Sequence, residues 1–267
     1  MKLTIVQFAP VFGDVDANLE RISGFAEDLA GGIAVLPELC TTGYAFEGRE
    51  EVAAFAEKIP GGRSCEILGG LAREGGLHIV AGIPERDGTH LYNSSVLISP
   101  TGETAVYRKA HLFLEEKSWF DPGDTGFTVH RVGEARVGML ICFDWIYPEA
   151  ARVLALRGAQ LICHPANLVL PYCQDAMKTR AIENRVFIAT VNRTGREERG
   201  GPWYEFTGRS QVVNPKGEVL IRLGEDEDRA ETVEVDLAQA LDKKMTERNQ
   251  LLSDRRPDLY GEITAVK

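Results

Sequence analysis

Residues 137–167, "VGMLICFDWIYPEAARVLALRGAQLICHPAN", contain two apolar runs that each end in Leu-Ile-Cys, at Cys142 and at Cys163. Between them Pro148 and Glu149 open a helical pattern. Proline has no N–H to lose in a first turn, and a carboxylate suits the positive end of the helix dipole. Two buried strands joined by a helix pair in parallel, because only a long crossover brings the second strand alongside the first in the same direction. The start of the chain repeats this unit. "KLTIVQFAP" reads as a strand and Asp14 or Asp16 as a helix cap. Leu19, Ile22, Phe25, Ala26 and Leu29 form an apolar face, Gly31-Gly32 is the stop, and "IAVLPEL" (33–39) is the next buried strand.

Between the two units the pattern changes. After helices expected over 50–58 and 65–74, residues 78–109 read as three antiparallel strands with turns at Asp87-Gly88 and Pro100-Thr101-Gly102. A helix at about 173–185, a strand "VFIATVN" and a second meander, "GRSQVVNPKGEVLIRLG", complete the order. Mixed sheets with helices outside them define an α/β protein with two sheets stacked face to face. The breaks at 60–66, 192–205 and 224–230 are too short for linkers, so residues 1–267 read as one domain. The charged, glycine-containing loop 192–205 is either a lid over a site or an ordinary solvated connection.

The net charge of −10 without a basic stripe argues against nucleic acid and anionic membranes as partners. The apolar run at the N-terminus is too short for a signal peptide, and no run approaches the length of a membrane span. Five cysteines, an odd number without regular spacing, suit reduced thiols. Together these features point to a cytoplasmic protein. Cys163, His164 and Cys173 lack the paired spacing of a metal site. The glycine pairs do not build a dinucleotide fingerprint. Neither a metal nor a cofactor is expected.

A nucleophilic cysteine needs a proton acceptor and donors for the oxyanion it creates. Cys163 precedes His164, but successive side chains on a strand point to opposite faces, so the two do not cooperate directly. Cys142 sits where a strand turns sharply into a helix, a place that presents a side chain and frees a backbone N–H. Cys40, Cys65 and Cys173 read as structural. Two other strand ends carry charge. Glu38 lies in "VLPELCTTGY", where a carboxylate at the end of an apolar strand is costly unless paired. Lys109 closes "TAVYRK". In an α/β fold strand ends converge on the clefts where sites form.

The three segments, "LPE", "RKAHLF" and "GMLICFDWIYPE", resemble in order and separation those of the nitrilase superfamily of carbon–nitrogen hydrolases, and the similarity runs along the whole chain. The resemblance implies a four-layer α-β-β-α sandwich, and it implies Glu38 as general base, Lys109 as oxyanion stabiliser and Cys142 as nucleophile. It also implies a second glutamate after the lysine, where Glu115 and Glu116 compete and spacing favours Glu116. The backbone N–H of Phe143 is expected to complete the oxyanion site. Tyr44, Phe113, Trp145 and Asn167 are expected near the substrate. The Lys109 ammonium is expected to lower the thiol pKa of Cys142.

The activity implied is hydrolysis of non-peptide C–N bonds through a thioester, with a small aliphatic amide as substrate. The alternatives are a nitrilase working on small aliphatic nitriles, an N-carbamoyl amidohydrolase and a non-catalytic binding protein. Family members form homodimers or larger homo-oligomers, and the tail from about 248 to 267 is a candidate for such an interface.

Overall fold

The computed structural model describes residues 1–201 and 203–265. Pro202 of the loop 192–205, and residues 266 and 267 of the C-terminal tail, lie outside the described residues. In chain order the first half contains β1 (Lys2–Gln7), α1 (Val15–Ala26), β2 (Ile33–Val35), α2 (Arg49–Phe55), α3 (Arg63–Gly75), β3 (His78–Asp87), β4 (His90–Ile98) and β5 (Thr104–Arg108). The second half begins with α4 (Glu116–Trp119), β6 (Val129–Val132), β7 (Ala135–Met139), a 3-10 turn over Cys142–Ile146, α5 (Pro148–Leu156) and β8 (Leu161–Ala166). It continues with α6 (Cys173–Asn184), β9 (Phe187–Asn192), β10 (Arg196–Glu198), β11 (Trp203–Glu205), β12 (Gln211–Val213), β13 (Val219–Arg222) and β14 (Arg229–Glu234).

Two six-stranded mixed sheets result, one ordered β14-β1-β2-β3-β4-β5 and the other β13-β12-β9-β8-β7-β6. As expected, β7 and β8 pair in parallel across α5, and β1 and β2 pair in parallel across α1. Leu3, Ile5, Val35 and Val80 from the first sheet share one core with Val137, Met139, Leu161 and Ile188 from the second, so the sheets stack face to face. On the far side of the first sheet Ile22 of α1 and Leu68 and Ala72 of α3 cover Val6, Ile79 and Val96. α5 covers the second sheet so closely that a Cβ on Gly138 would stand 2.8 Å from Leu154. This is the α-β-β-α sandwich. Among the described residues no helix is long and apolar enough to cross a membrane.

Local chemistry sets the boundaries. Asp14, not Asp16, caps α1, its carboxylate accepting from the Ala17 N–H at 3.0 Å. β2 is shorter than "IAVLPEL" suggests. It stops at Val35 because Pro37 has no N–H to continue the ladder, so Glu38 sits in the turn beyond the strand. That turn is pressed against β3, with the Gly82 N–H donating to the Pro37 carbonyl at 3.1 Å and the Cys40 N–H to the Gly82 carbonyl at 2.9 Å. A Cβ at position 82 would stand 2.4 Å from the Glu38 Cα, so only glycine permits the approach.

Candidate active site

Glu38, Lys109 and Glu116 come from three separate turns and meet in the interior. Lys109 follows β5, held by its own N–H on the Asn93 carbonyl of β4 at 2.8 Å. Its Nζ donates to Glu38 Oε1 at 2.7 Å and to Glu116 at 2.8 Å, and all three side chains are fully buried. Asn93 Nδ2 donates to the same Glu38 oxygen at 2.7 Å. The other oxygen, Oε2, is buried and has no partner among the described residues, and neither has Asn93 Oδ1. Glu116 is further held by the Tyr44 hydroxyl at 2.9 Å and the Phe113 N–H at 3.2 Å. Of the two adjacent glutamates Glu116 reaches the lysine, while Glu115 faces a separate outer cavity.

Cys142 opens the 3-10 turn with φ of +40°, a left-handed conformation that an L side chain adopts only where its surroundings enforce it. The enforcement is visible. Asp144, buried two residues on, accepts from the Ile141 N–H at 2.9 Å, the Tyr107 hydroxyl at 2.7 Å and the His111 N–H at 3.2 Å. His164 Nε2 lies 2.9 Å from the Cys142 carbonyl, and burial keeps the imidazole's pKa down, so it stays a neutral donor. His164 therefore serves the turn rather than its neighbour Cys163, which lies in the core. The Cys142 Sγ–H points to the Asn167 carbonyl at 3.7 Å.

The charges of Glu38, Lys109 and Glu116 all act on Cys142, which corrects one expectation. The Lys109 ammonium does favour the thiolate, but burial outweighs it and the Glu38 carboxylate adds to burial, so the thiol pKa stands well above its ordinary value. The resting group is a neutral thiol. Lys109 itself is held charged by Glu116 and Glu38 against the cost of its burial. Burial pushes Glu116 up to about 7, with Lys109 opposing the rise and Glu38 adding to it. Burial also raises Tyr44, so its hydroxyl remains a donor.

Cys142 lies in the wall of a narrow cleft of about 10 Å³, lined also by Phe113, Phe143, Trp145, Asn167 and Leu168. Phe113, Trp145 and Asn167, expected near the substrate, thus share one cleft with Cys142. Tyr44 stands elsewhere, behind Glu116 and among Trp119, Tyr204 and Phe206. A larger cavity of about 810 Å³ opens beside the cleft, and Val169 lines both. The loop 192–205 is neither free nor purely solvated. Its buried Glu197 accepts from the N–H groups of Tyr44 at 3.0 Å and Ala45 at 2.6 Å, which fixes the segment carrying Tyr44.

Residues 2–243 match the Carbon-nitrogen hydrolase family. The chain belongs to the nitrilase superfamily of carbon–nitrogen hydrolases. It is 45% identical to a nitrilase of Pyrococcus abyssi over 97% of this chain and 99% of that one. It is 38% identical to an (R)-stereoselective amidase of a Pseudomonas species, over 99% and 94% of the two chains. The solved amidase from Nesterenkonia sp. superposes with a TM-score of 0.80 at 28% identity, over 98% of this chain and 96% of that one.

Several residues that shape this hydrolase's site carry no mark in the sequence beyond their polarity. Asn93 belongs to "YNSSVLI", where three successive polar residues interrupt a strand and all three are buried. That run was the available signal. Asp144 and His164 follow the two cysteines, but apart from the Ile141 N–H their partners lie on other strands and loops.

Proposed function

We propose that the chain is an amidase that hydrolyses small aliphatic amides to ammonia and a carboxylic acid, with Cys142 as nucleophile, Glu38 as general base and acid, and Lys109 as oxyanion stabiliser. The observation that carries this is the buried Glu38–Lys109–Glu116 chain beside Cys142, in which one Glu38 oxygen is fully engaged and the other has no partner. Because the resting thiol is neutral, proton removal and attack belong to one step. Glu38 Oε2 takes the thiol proton as the sulfur bonds to the carbonyl carbon. The oxygen that gains the electron pair meets the Lys109 ammonium and the Phe143 N–H. Glu38 returns its proton to the departing nitrogen, the C–N bond breaks, and ammonia leaves a thioester on Cys142. Water then gives a proton to Glu38 and its oxygen to the acyl carbon, and the thiol is restored as the acid leaves. Glu116, pinned by Tyr44 and Phe113, holds the ammonium in place.

Amide is favoured over nitrile by hydrogen-bond complementarity. Glu38 Oε2 and Asn93 Oδ1 are buried acceptors without partners, and a primary amide brings two N–H donors where a nitrile brings none. The 45% identity to a nitrilase keeps that second activity in view. It would use the same residues through a thioimidate that takes up two waters. Product analysis with propionamide and propionitrile, and mass spectrometry for an acyl adduct on Cys142, tests the proposal. Acid from the amide alone, with an adduct absent from Cys142→Ala, is the expected result. Acid from the nitrile alone assigns the nitrilase activity, and no adduct with any small amide, nitrile or N-carbamoyl compound assigns a binding role.

A further inference from the structure

Asn167 is buried to 3% exposure, and it stands in the wall of the Cys142 cleft with its carbonyl turned toward the nucleophile's sulfur. Both polar atoms of its side chain, Oδ1 and Nδ2, are buried and have no partner among the described residues. A carboxamide in this state has lost its water without gaining a hydrogen bond, a cost that native interiors avoid unless something else meets the group. The other described walls of the cleft, among them Phe113, Phe143, Trp145 and Leu168, are apolar apart from Cys142 itself. Asn167 is therefore a wall residue of an otherwise apolar cleft beside the reacting sulfur, and its side chain keeps one acceptor and one two-proton donor unmet among the described residues.

Building on the amide hydrolysis proposed above, we infer that Asn167 is a specificity residue that reads the acyl part of the substrate, and that the preferred acyl group carries one uncharged donor–acceptor substituent, a hydroxyl, on the carbon next to the scissile carbonyl. The scissile amide itself does not need Asn167, since its oxygen is met by Lys109 and Phe143 and its nitrogen by Glu38. The substituent must both donate and accept, because Asn167 leaves one atom of each kind unpaired. It must be neutral. A carboxylate would enter a slot whose described walls carry no cation, and Lys109 behind it is already paired with both Glu38 and Glu116, while an ammonium would leave Nδ2 unpaired. It must be small, because 10 Å³ is about the room of one water molecule. A polar contact on one side of the acyl carbon and aromatic walls on the others also distinguish the two hands of such a substrate.

The test compares propionamide with the two enantiomers of lactamide, which adds a hydroxyl to the carbon beside the carbonyl. For the wild-type enzyme, kcat/KM for one lactamide enantiomer is expected to exceed that for propionamide by tenfold or more, and to exceed that for the other enantiomer. In Asn167→Leu, which keeps the side chain's size and removes its polarity, the lactamide-to-propionamide ratio is expected to fall at least tenfold, whatever happens to the absolute rates. An unchanged ratio overturns the inference, as does a wild-type enzyme indifferent to the hydroxyl. Calorimetry on Cys142→Ala separates recognition from chemistry. If the wild-type enzyme hydrolyses no amide but this variant binds lactamide at least tenfold tighter than propionamide, the amidase proposal falls while the role of Asn167 stands. Equal binding removes that role.

Discussion

Arg108 and Lys109 are consecutive residues at the end of β5, and each is surrounded by carboxylates on its own side of the sheet. Arg108 Nη2 meets Glu85 at 2.5 Å and Asp87 at 2.8 Å, Nη1 meets Asp124 at 3.0 Å, and Nε returns to Glu85 at 3.0 Å. Ser94 Oγ also donates to Glu85, and the guanidinium lies 4.0 Å from the centre of the Tyr92 ring. Lys109 meets Glu38 and Glu116 alone, with Asn93 standing to Glu38 as Ser94 stands to Glu85. Asn93 and Ser94 are likewise consecutive, so the alternation of β4 and β5 assigns one pair to each face. The difference lies in completeness. The Arg108 cluster ends at the surface in two exposed aspartates, whereas the Lys109 cluster is fully buried and, among the described residues, leaves Glu38 Oε2 and Asn93 Oδ1 unpaired. Buried charge alone does not identify a site; unfinished hydrogen bonding beside buried charge does.

Exchanging each cation for methionine tests this contrast most severely. Lys109→Met is expected to lower kcat/KM by about a thousandfold, or about 4 kcal/mol of transition-state stabilisation, the scale of a lost oxyanion donor. Unfolding should remain cooperative by calorimetry. A variant keeping more than a tenth of wild-type kcat/KM would place the oxyanion elsewhere and erase the distinction between the two clusters.

A second test concerns the pH dependence of stability that the fully buried cluster should confer. Glu116 is raised from its ordinary 4.5 to about 7, so between these values the folded protein binds a proton that the unfolded chain has released. Its contribution to stability is complete below about 4.5 and is lost as pH rises toward 7. Glu116→Gln carries a permanent neutral isostere and lacks this loss. The stability of the variant relative to wild type should therefore climb through that window by an amount of the order of 3 kcal/mol and level off above it. Denaturant melts of both proteins from pH 4.5 to 8 check the slope. A difference independent of pH would show that Glu116 titrates at its ordinary value.

Arg108→Met should produce the opposite pattern to the lysine variant. It leaves Glu85, which is 3% exposed, facing an apolar side chain, at an expected cost of about 3 kcal/mol in unfolding free energy. At a temperature where the variant is folded, kcat/KM should remain within about threefold of wild type. Loss of turnover from a fully folded variant would make the outer cluster part of the machinery.

Much of this arrangement was visible in the sequence, for identifiable reasons. Strand–helix–strand periodicity gave both parallel pairs and hence the stacked sheets, whereas Glu38, Lys109 and Cys142 were each unremarkable alone and were singled out by the resemblance of their three segments, taken together, to the family. What remained hidden depends on distances along the chain that no local pattern encodes. The partner of Asn93 is 55 residues away, and the partner of the Cys142 carbonyl is His164 on β8, 22 residues along the chain. The thiol's acidity was misjudged because a nearby lysine can be read from the sequence, whereas the depth of burial that outweighs it cannot.

The finest test of the contrast is Ser94→Ala, beside Asn93 on the same strand. Ser94 Oγ donates to Glu85 Oε2 at 2.5 Å inside the first sheet, and its loss removes one hydrogen bond from a carboxylate that still has Arg108 on both oxygens. The expected cost is about 1 kcal/mol, that of a single buried hydrogen bond whose acceptor keeps another partner. Nothing in the Lys109 cluster should change, so kcat/KM should stay within about twofold. The corresponding truncation on the other face, Asn93→Ala, strips a donor from Glu38 Oε1 and should reduce turnover by tenfold or more at a similar stability cost. If the two alanine variants lose turnover equally, the faces of β4 are not functionally separate, and completeness of hydrogen bonding ceases to tell a structural charge from a working one.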